Sequence, residues 1–215
     1  MKTHVLHFSS AAVLNVEPLN REELEKHFPV HEPYFFLPNQ FWQHKNHAVV
    51  VDALRQTPPE IRVICTGLMQ DFRDASYVPS LLNKVRQAGL DHRFICLGMV
   101  PYRTMVGLMH HSIAVLQPSL FEGWSTSVEE SKAMRKRIIL SNIAVHLEQA
   151  PERGVFFAQD SPEELAACMK NVQAEFSPAN EEAFAEQRQL FRESIERDWI
   201  QDFARILKTV SGTLS

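Results

Sequence analysis

Two acids and a lysine carry the chemistry that this sequence can do. Glu122 and Glu130 stand eight residues apart and bracket Gly123-Trp124-Ser125-Thr126-Ser127. The bracketed turn joins an apolar run, Ile113 to Leu116, to a segment, Val128 to Met134, that reads as a short helix. The first amides of a helix lack partners inside the helix and point outward, and the helix dipole adds partial positive charge there. A phosphate group is the usual guest of such a turn. With the helix starting near Thr126, Glu130 lies about one turn in and Glu122 stays at the strand end. Both acids then face one ligand above the strand tips. Lys45, within Gln40-Phe41-Trp42-Gln43-His44-Lys45-Asn46-His47, falls near the start of another helix. A cation there opposes the dipole, which points to an anionic ligand beside it.

Each of these residues also has an ordinary reading. Lys45 can be a solvated surface lysine, Glu129 and Glu130 can complement a helix dipole, and Glu122 can be a surface acid. Taken with Gly123 and three hydroxyl residues, the two glutamates favour the site. His44 and His47, three apart, with His110 and His111, raise a metal site, but no Cys or acid stands at matching spacing. Asp71, Arg73 and Asp74 read as a solvated loop. No G-x-G-x-x-G follows the first strand and no G-K-[ST] phosphate loop occurs, which argues against a dinucleotide redox enzyme and a P-loop nucleotidase.

The elements that must position these residues are legible as an alternation. Tyr34–Leu37, Ile61–Cys65, Phe94–Leu97, Ile113–Leu116, Ile138–Leu140 and Val155–Phe157 are short apolar runs closed by Gly, Thr or polar residues. Helical stripes lie between them: Val49, Val50, Ala53 and Leu54; then Val78, Leu81, Leu82 and Val85; then Arg103 to His110. Ser161-Pro162-Glu163-Glu164 opens a further helix with a cap, a first-turn proline and a capping glutamate. Phe184 to Ile206 gives a long amphipathic, bent ending. Short apolar strands alternating with helices imply an α/β fold, a Rossmann-like parallel sheet with helices on both faces. Ligands of such sheets bind beyond the carboxyl ends of the strands. Those ends carry Asn39, Gly67, Gly98 and Ser119 to Gly123.

Residues 1 to 30 stand outside the alternation. Val5 to Phe8 reads as a strand without neighbours, residues 9 to 19 as a linker, and Asn20 as the cap of a charged helix running to His27, with Glu23 completing a capping box. This segment is expected to pack poorly or against a partner.

Bulk properties narrow the function. The 215 residues carry a formal charge of -4 and 45% hydrophobic content, enough for a real core, with no basic stripe for nucleic acid. Cys65, Cys96 and Cys168 each sit in an apolar run and read as buried, reduced thiols of a cytoplasmic protein. No run approaches the ~18 apolar residues of a membrane span.

At this point the pattern is familiar. Residues 34–175 resemble the C-terminal half of the family 4 glycosyltransferases, retaining enzymes of the GT-B fold built from two facing Rossmann-like domains. Phe35 to His47 looks like the family's first strand and basic loop, Thr66-Gly67 and Leu97-Gly98-Met99-Val100 like its glycine-ended strands, and Gln117 to Glu130 like its paired-glutamate motif. The resemblance implies a nucleotide-sugar donor, with no resident cofactor and no metal. It implies that Lys45 and the amides of Ser125 to Ser127 hold the diphosphate and that Glu130 accepts from the ribose hydroxyls. Glu122, with Gly123 and Trp124, would sit at the donor sugar. Met99 and Val100 would read the base, and Asn39, Gln40 and Gly67 would complete the pocket. Lys45 and Glu122 are the expected catalytic pair. Two departures stand out. The family usually has an arginine where this chain has Gln40, and many members have glycine and proline where it has Ser125 and Ser127.

The resemblance also implies an absent acceptor-binding domain. Residues 1–33 are expected to be its remnant and linker, 34–178 the nucleotide-sugar-binding domain, and 179–215 a long helical segment. The expected partners are the nucleotide sugar, an acceptor (glycan, lipid-linked sugar or small molecule), and an N-terminal domain or a second copy. Location is expected to be cytoplasmic, with any peripheral membrane contact made through the missing half. A sugar-nucleotide epimerase or phosphorylase of the same fold, and a non-catalytic nucleotide-binding module, stay open as alternatives.

Overall fold

The computed structural model describes residues 5, 6, 8 and 10–211. Six strands, β1 (Phe35–Pro38), β2 (Val63–Thr66), β3 (Phe94–Cys96), β4 (Val115–Gln117), β5 (Ile138–Ser141) and β6 (Gly154–Phe157), form one sheet. Its order is β3-β2-β1-β4-β5-β6, and every pairing is parallel. The helices are α1 (Arg21–His27), α2 (His47–Leu54), α3 (Tyr77–Gln87), α4 (Tyr102–His111), α5 (Thr126–Ala133), α6 (Ala144–Gln149), α7 (Pro162–Ala174), α8 (Pro178–Glu186) and α9 (Arg188–Ser211). No described helix is long and apolar enough to cross a membrane.

Side chains alternate across the sheet with period two. Phe35 and Leu37 point to one face, into a core with Val50, Leu54, Val85, Leu165 and Met169. Phe36 points to the other, with Ile64, Val115, Leu108, Val128 and Met134. Helices therefore cover both faces, as the apolar runs require. The strand order reverses direction at β1, whose neighbours are β2 on one side and β4 on the other. That switch point opens a crevice between the loops leaving β1 and β4. The loop after β1 carries Lys45 and the loop after β4 carries Glu122.

The N-terminal segment corrects the sequence reading. Val5, Leu6 and Phe8 form no strand, and His7 lies outside the described residues. The stretch read as a linker contains a 3-10 turn, Ala11–Asn15. Val13, Leu24 and Val30 are buried in the second core, so this part does not pack poorly. It covers the face of α4, where Gly107 lets the chain come close: a Cβ there would lie 2.9 Å from the Leu19 carbonyl oxygen. The Asn20–Glu23 capping box forms as expected.

Helix α6 was not anticipated, and the bend in the ending is a break at Gln187 between α8 and α9. Helix α8 is fixed by Glu181, which accepts from the buried Lys136 at 3.0 Å and from Arg153 at 2.6 Å. Cys65 is buried, whereas Cys96 and Cys168 are only half-buried.

Candidate functional site

Strand β1 ends at Pro38 and hands over to Asn39, which is buried. Its close neighbour is Gly67, at φ +138, at the end of β2; a Cβ on Gly67 would lie 2.3 Å from the Asn39 carbonyl oxygen. Only glycine allows these strand ends to lie so close with that backbone. The chain then makes a 3-10 turn, Gln43–Lys45, and Asn46 takes a left-handed conformation before α2 begins. This turn presents Lys45 toward the β4 loop rather than along the helix axis.

The β4 loop is organised by polar residues packed at the strand end. Gln117 is fully buried; its Oε1 accepts from Asn39 Nδ2 at 2.9 Å. Its Nε2 donates to Glu122 Oε1 and to Ser125 Oγ, each at 2.9 Å. Ser119 Oγ donates to the same Glu122 oxygen at 2.7 Å. Lys45 Nζ completes the set, donating to Glu122 Oε1 at 2.5 Å. Three donors thus converge on one oxygen of Glu122, as a largely buried carboxyl group requires. Behind it, Ser141 Oγ donates to the Ser119 carbonyl at 2.5 Å, and His146 Nδ1 lies 2.9 Å from the Ser141 carbonyl.

Helix α5 starts at Thr126, as expected. Thr126 is exposed at the crevice and Ser127 half-exposed, with its hydroxyl 3.4 Å from the Pro38 carbonyl. Ser125 departs from the expectation. It is buried, its amide donates to Gln149 Oε1 at 3.3 Å, and Gln149 Nε2 donates back to its carbonyl at 2.9 Å. The Ser125 amide is therefore already engaged, which leaves the amides of Thr126 and Ser127 at the helix start. Glu129, the other first-turn acid, is also turned inward, between Gln149 and Lys132.

Glu130 opens onto a second lobe of the crevice, lined also by Pro38, Gln40, Gly67, Met99, Val100 and Tyr102. Tyr102 OH donates to Glu130 Oε1 at 2.7 Å. Burial pushes the Glu130 carboxyl up, and the tyrosine bond opposes part of that rise. Gln40 faces this lobe too, but its Oε1 is occupied by the Leu68 amide at 2.6 Å. Met99 is highly exposed on the rim. The lobe around Lys45 and Glu122 is lined by Trp42, His44, Asp71, Arg73, Phe121 and Gly123. Trp124, next along the chain, is half-buried.

The structure thus gathers Lys45, Glu122 and Gly123 in one lobe, and Gln40, Gly67, Met99, Val100 and Glu130 in the other, with the α5 start between Glu122 and Glu130 along the chain. The histidines do not converge. His47 is buried and stacked on Phe41 at 4.3 Å, whereas His110 bonds Arg188 at 2.8 Å. Sequence reasoning missed Tyr102 and Gln149, gave Gln117 and Ser119 no role beyond the motif and strand end that contain them, and read Asp71 as a solvated loop. A signal existed for Gln117 alone: a polar residue directly after Val115-Leu116 must be buried with partners. The Asp71 loop is not simply solvated, since Asp71 is buried and accepts from the Gln43 amide at 2.8 Å and the Arg73 amide at 2.9 Å.

A six-stranded parallel sheet with a switch-point crevice and helices on both faces defines a Rossmann-like domain of the GT-B type. Residues 20–186 match the family described as Glycosyl transferases group 1, and the chain belongs to that family. No curated protein sequence matches it. Among solved structures it is similar to Anabaena Alr3699/HepE in complex with UDP and glucose, at TM-score 0.71 and 19% identity over 89% of this chain and 51% of that one. It is also similar to a glycosyltransferase from Rickettsia africae, at TM-score 0.72 and 17% identity over 93% and 55% of the two chains. The C-terminal domain of the group 1 protein LpcC from Francisella tularensis matches at TM-score 0.63 and 18% identity, with 86% and 97% covered. The chain spans about half the length of the first two.

Proposed function

We propose that this chain is the donor-binding half of a retaining glycosyltransferase that moves a hexosyl group from a nucleoside diphosphate sugar to an acceptor. The observation that carries the reading is the Lys45–Glu122 pair in one lobe with Glu130 in another. In this reading the nucleoside lies in the Glu130 lobe, its ribose hydroxyls donating to Glu130 and its base against Met99 and Val100. The diphosphate lies over the amides of Thr126 and Ser127, within reach of Lys45, and the sugar lies toward Glu122 and Gly123. The bond from the anomeric carbon to the phosphate oxygen breaks, a bond from that carbon to the acceptor oxygen forms, and the acceptor hydroxyl proton passes to the leaving phosphate oxygen. Negative charge grows on the leaving diphosphate, where fixed donors and a cation stabilise it. Retention, the hexosyl preference and a role for a second domain in holding the acceptor are part of the proposal. The HepE structures that contain UDP and UDP-glucose support a uridine nucleotide as the first candidate.

The test is calorimetric titration of the chain with UDP, GDP and ADP and their glucose conjugates. Binding of one nucleoside diphosphate at least tenfold tighter than inorganic pyrophosphate is expected. Equal binding of all, pyrophosphate included, would sink the reading in favour of a plain anion site.

A further inference from the structure

We propose that Arg73 is a second anion-binding residue of this cleft, taking the distal phosphate of the bound nucleotide or an acidic group on the sugar it carries. The inference rests on the cleft being a nucleotide-sugar site, and it names a residue that the paired-glutamate and lysine motifs leave out.

Arg73 lines the same lobe as Lys45 and Glu122, but it arrives from the loop after β2. Its guanidinium carbon lies 4.5 Å from the centre of the Phe72 ring and 5.6 Å from that of Trp42. Those two rings meet edge to face at 6.1 Å. Among the described residues its side chain makes no hydrogen bond and no ion pair. A guanidinium held on aromatic faces keeps its in-plane N–H groups free, in the fork that matches a phosphate or carboxylate.

Its placement is fixed from below. The Asp71 carboxylate accepts the Arg73 amide with one oxygen and the Gln43 amide with the other. Gln43 opens the turn that ends in Lys45. One buried side chain therefore sets the turn of Arg73 and the turn of Lys45 relative to each other.

The charges of the lobe leave Arg73 as the available cation. Lys45 is paired with Glu122. Asp71 is directed at two amides. His44 is held toward its neutral form by burial and by the neighbouring lysine. A diphosphate entering here meets Lys45 already ion-paired and Arg73 without an ion pair, its charge balanced only through space by Asp71. Phe121, from the loop after β4, gives the lobe a highly exposed apolar wall, and Phe72 under the guanidinium is highly exposed as well. An anionic group attached to a sugar ring fits such a surface, the ring against an aromatic face and the charge on Arg73.

The experiment is calorimetric titration of the parent chain, Arg73→Ala and Arg73→Lys with UDP, UMP, UDP-glucose and UDP-glucuronate, at low and high salt. If the anion is the distal phosphate, Arg73→Ala weakens UDP by about tenfold and UMP little, and salt shrinks the difference. Arg73→Lys recovers part of the loss, because it keeps the charge without the stacked fork. If the anion belongs to the sugar, UDP and UDP-glucose are unchanged and UDP-glucuronate alone weakens. Either pattern supports the assignment. Unchanged binding of all four ligands by Arg73→Ala overturns it while leaving the donor-site reading intact. A parent chain that binds none of the four overturns both.

Discussion

Lys45 and Glu122 stand 77 positions apart in the chain and 2.5 Å apart in space. Both are mostly shielded from solvent, with side chains 13% and 9% exposed. A diphosphate that recruits Lys45 must therefore compete with a carboxylate that already holds it. The expected outcome is that Glu122→Gln tightens nucleoside diphosphate binding several-fold at low salt, because the cation is released while the side-chain shape is kept. Lys45→Ala should do the reverse and weaken it by about tenfold, since a charge-assisted bond is worth about 1.5–3 kcal/mol. Titration calorimetry with a nucleoside diphosphate checks both signs. Weaker binding by Glu122→Gln would mean that Glu122 supports the phosphate site instead of opposing it. Glu122→Gln should also remove any affinity gained when a sugar is attached to the nucleotide.

Glu130 answers to a different variable. Its carboxyl is raised by burial, so it takes up a proton at a higher pH than a solvated glutamate. A protonated carboxyl accepts poorly from ribose hydroxyls, so nucleotide affinity should fall as pH drops through that raised value. Tyr102 donates to the ionised form at 2.7 Å and so holds the value down. Tyr102→Phe should therefore move the acid limb of the binding profile to higher pH without changing affinity well above it. Glu130→Ala should erase the preference for nucleotide over pyrophosphate and depend little on salt. Affinity measured from pH 5 to 8 for the three proteins decides this; an unmoved limb in Tyr102→Phe would remove Glu130 from the ribose role.

Gly67 tests the strand-end geometry. A methyl group there would meet the Asn39 carbonyl oxygen at 2.3 Å, and φ +138 strains any L side chain. Neither atom can yield, because both belong to strand ends in a parallel pair. Gly67→Ala should cost on the order of 2 kcal/mol or more in denaturant unfolding. By displacing Asn39 from Gln117 it should also loosen Glu122. A variant as stable as the parent would show that these strand ends separate easily.

The sheet and its alternation were legible because each strand is a continuous apolar run closed by a turn residue, and because α2, α3 and α7 show clean apolar stripes. Glu122, Lys45 and the α5 start were legible as residue types at a strand end. Their contact was not, since it depends on β4 inserting beside β1, a long-range choice that no local pattern records. Helix α6 escaped because its buried residues are His146 and Gln149, polar side chains whose partners Ser141 and Ser125 come from other elements. The docking of residues 10–30 escaped for a related reason. Leu24 is a single apolar residue in a charged stretch, Val13 lies in a short apolar run without a clear period, and the surface that buries them with Val30 is built by α4 and α5. Ser125 looked like a ligand contact because its type suits an anion site; its inward turn is set by Gln149, again from α6.

Acid should expose the last relationship, between His47 and Phe41. The imidazole is fully buried and stacked on Phe41 at 4.3 Å, and burial lowers its pKa to about 3. In the unfolded chain a histidine titrates near 6.5. Between those values the unfolded state binds a proton that the folded state refuses, so unfolding becomes easier as pH falls. The sign is therefore a loss of stability on acidification that begins near pH 6.5 and continues toward pH 3. One unit below the unfolded value the loss is about 1.4 kcal/mol from this residue alone. His110, lowered to about 3 by burial and by Arg188, should add in the same direction. The check is the denaturation free energy of the parent and of His47→Phe at pH 7.0 and 5.5. The variant keeps an aromatic ring on Phe41 and has nothing to protonate, so its drop between the two pH values should be smaller by about 1.2 kcal/mol. Equal drops in the two proteins would mean that His47 is protonated in the folded state, and that the loop joining β1 to α2, which carries Lys45, admits water at mildly acidic pH.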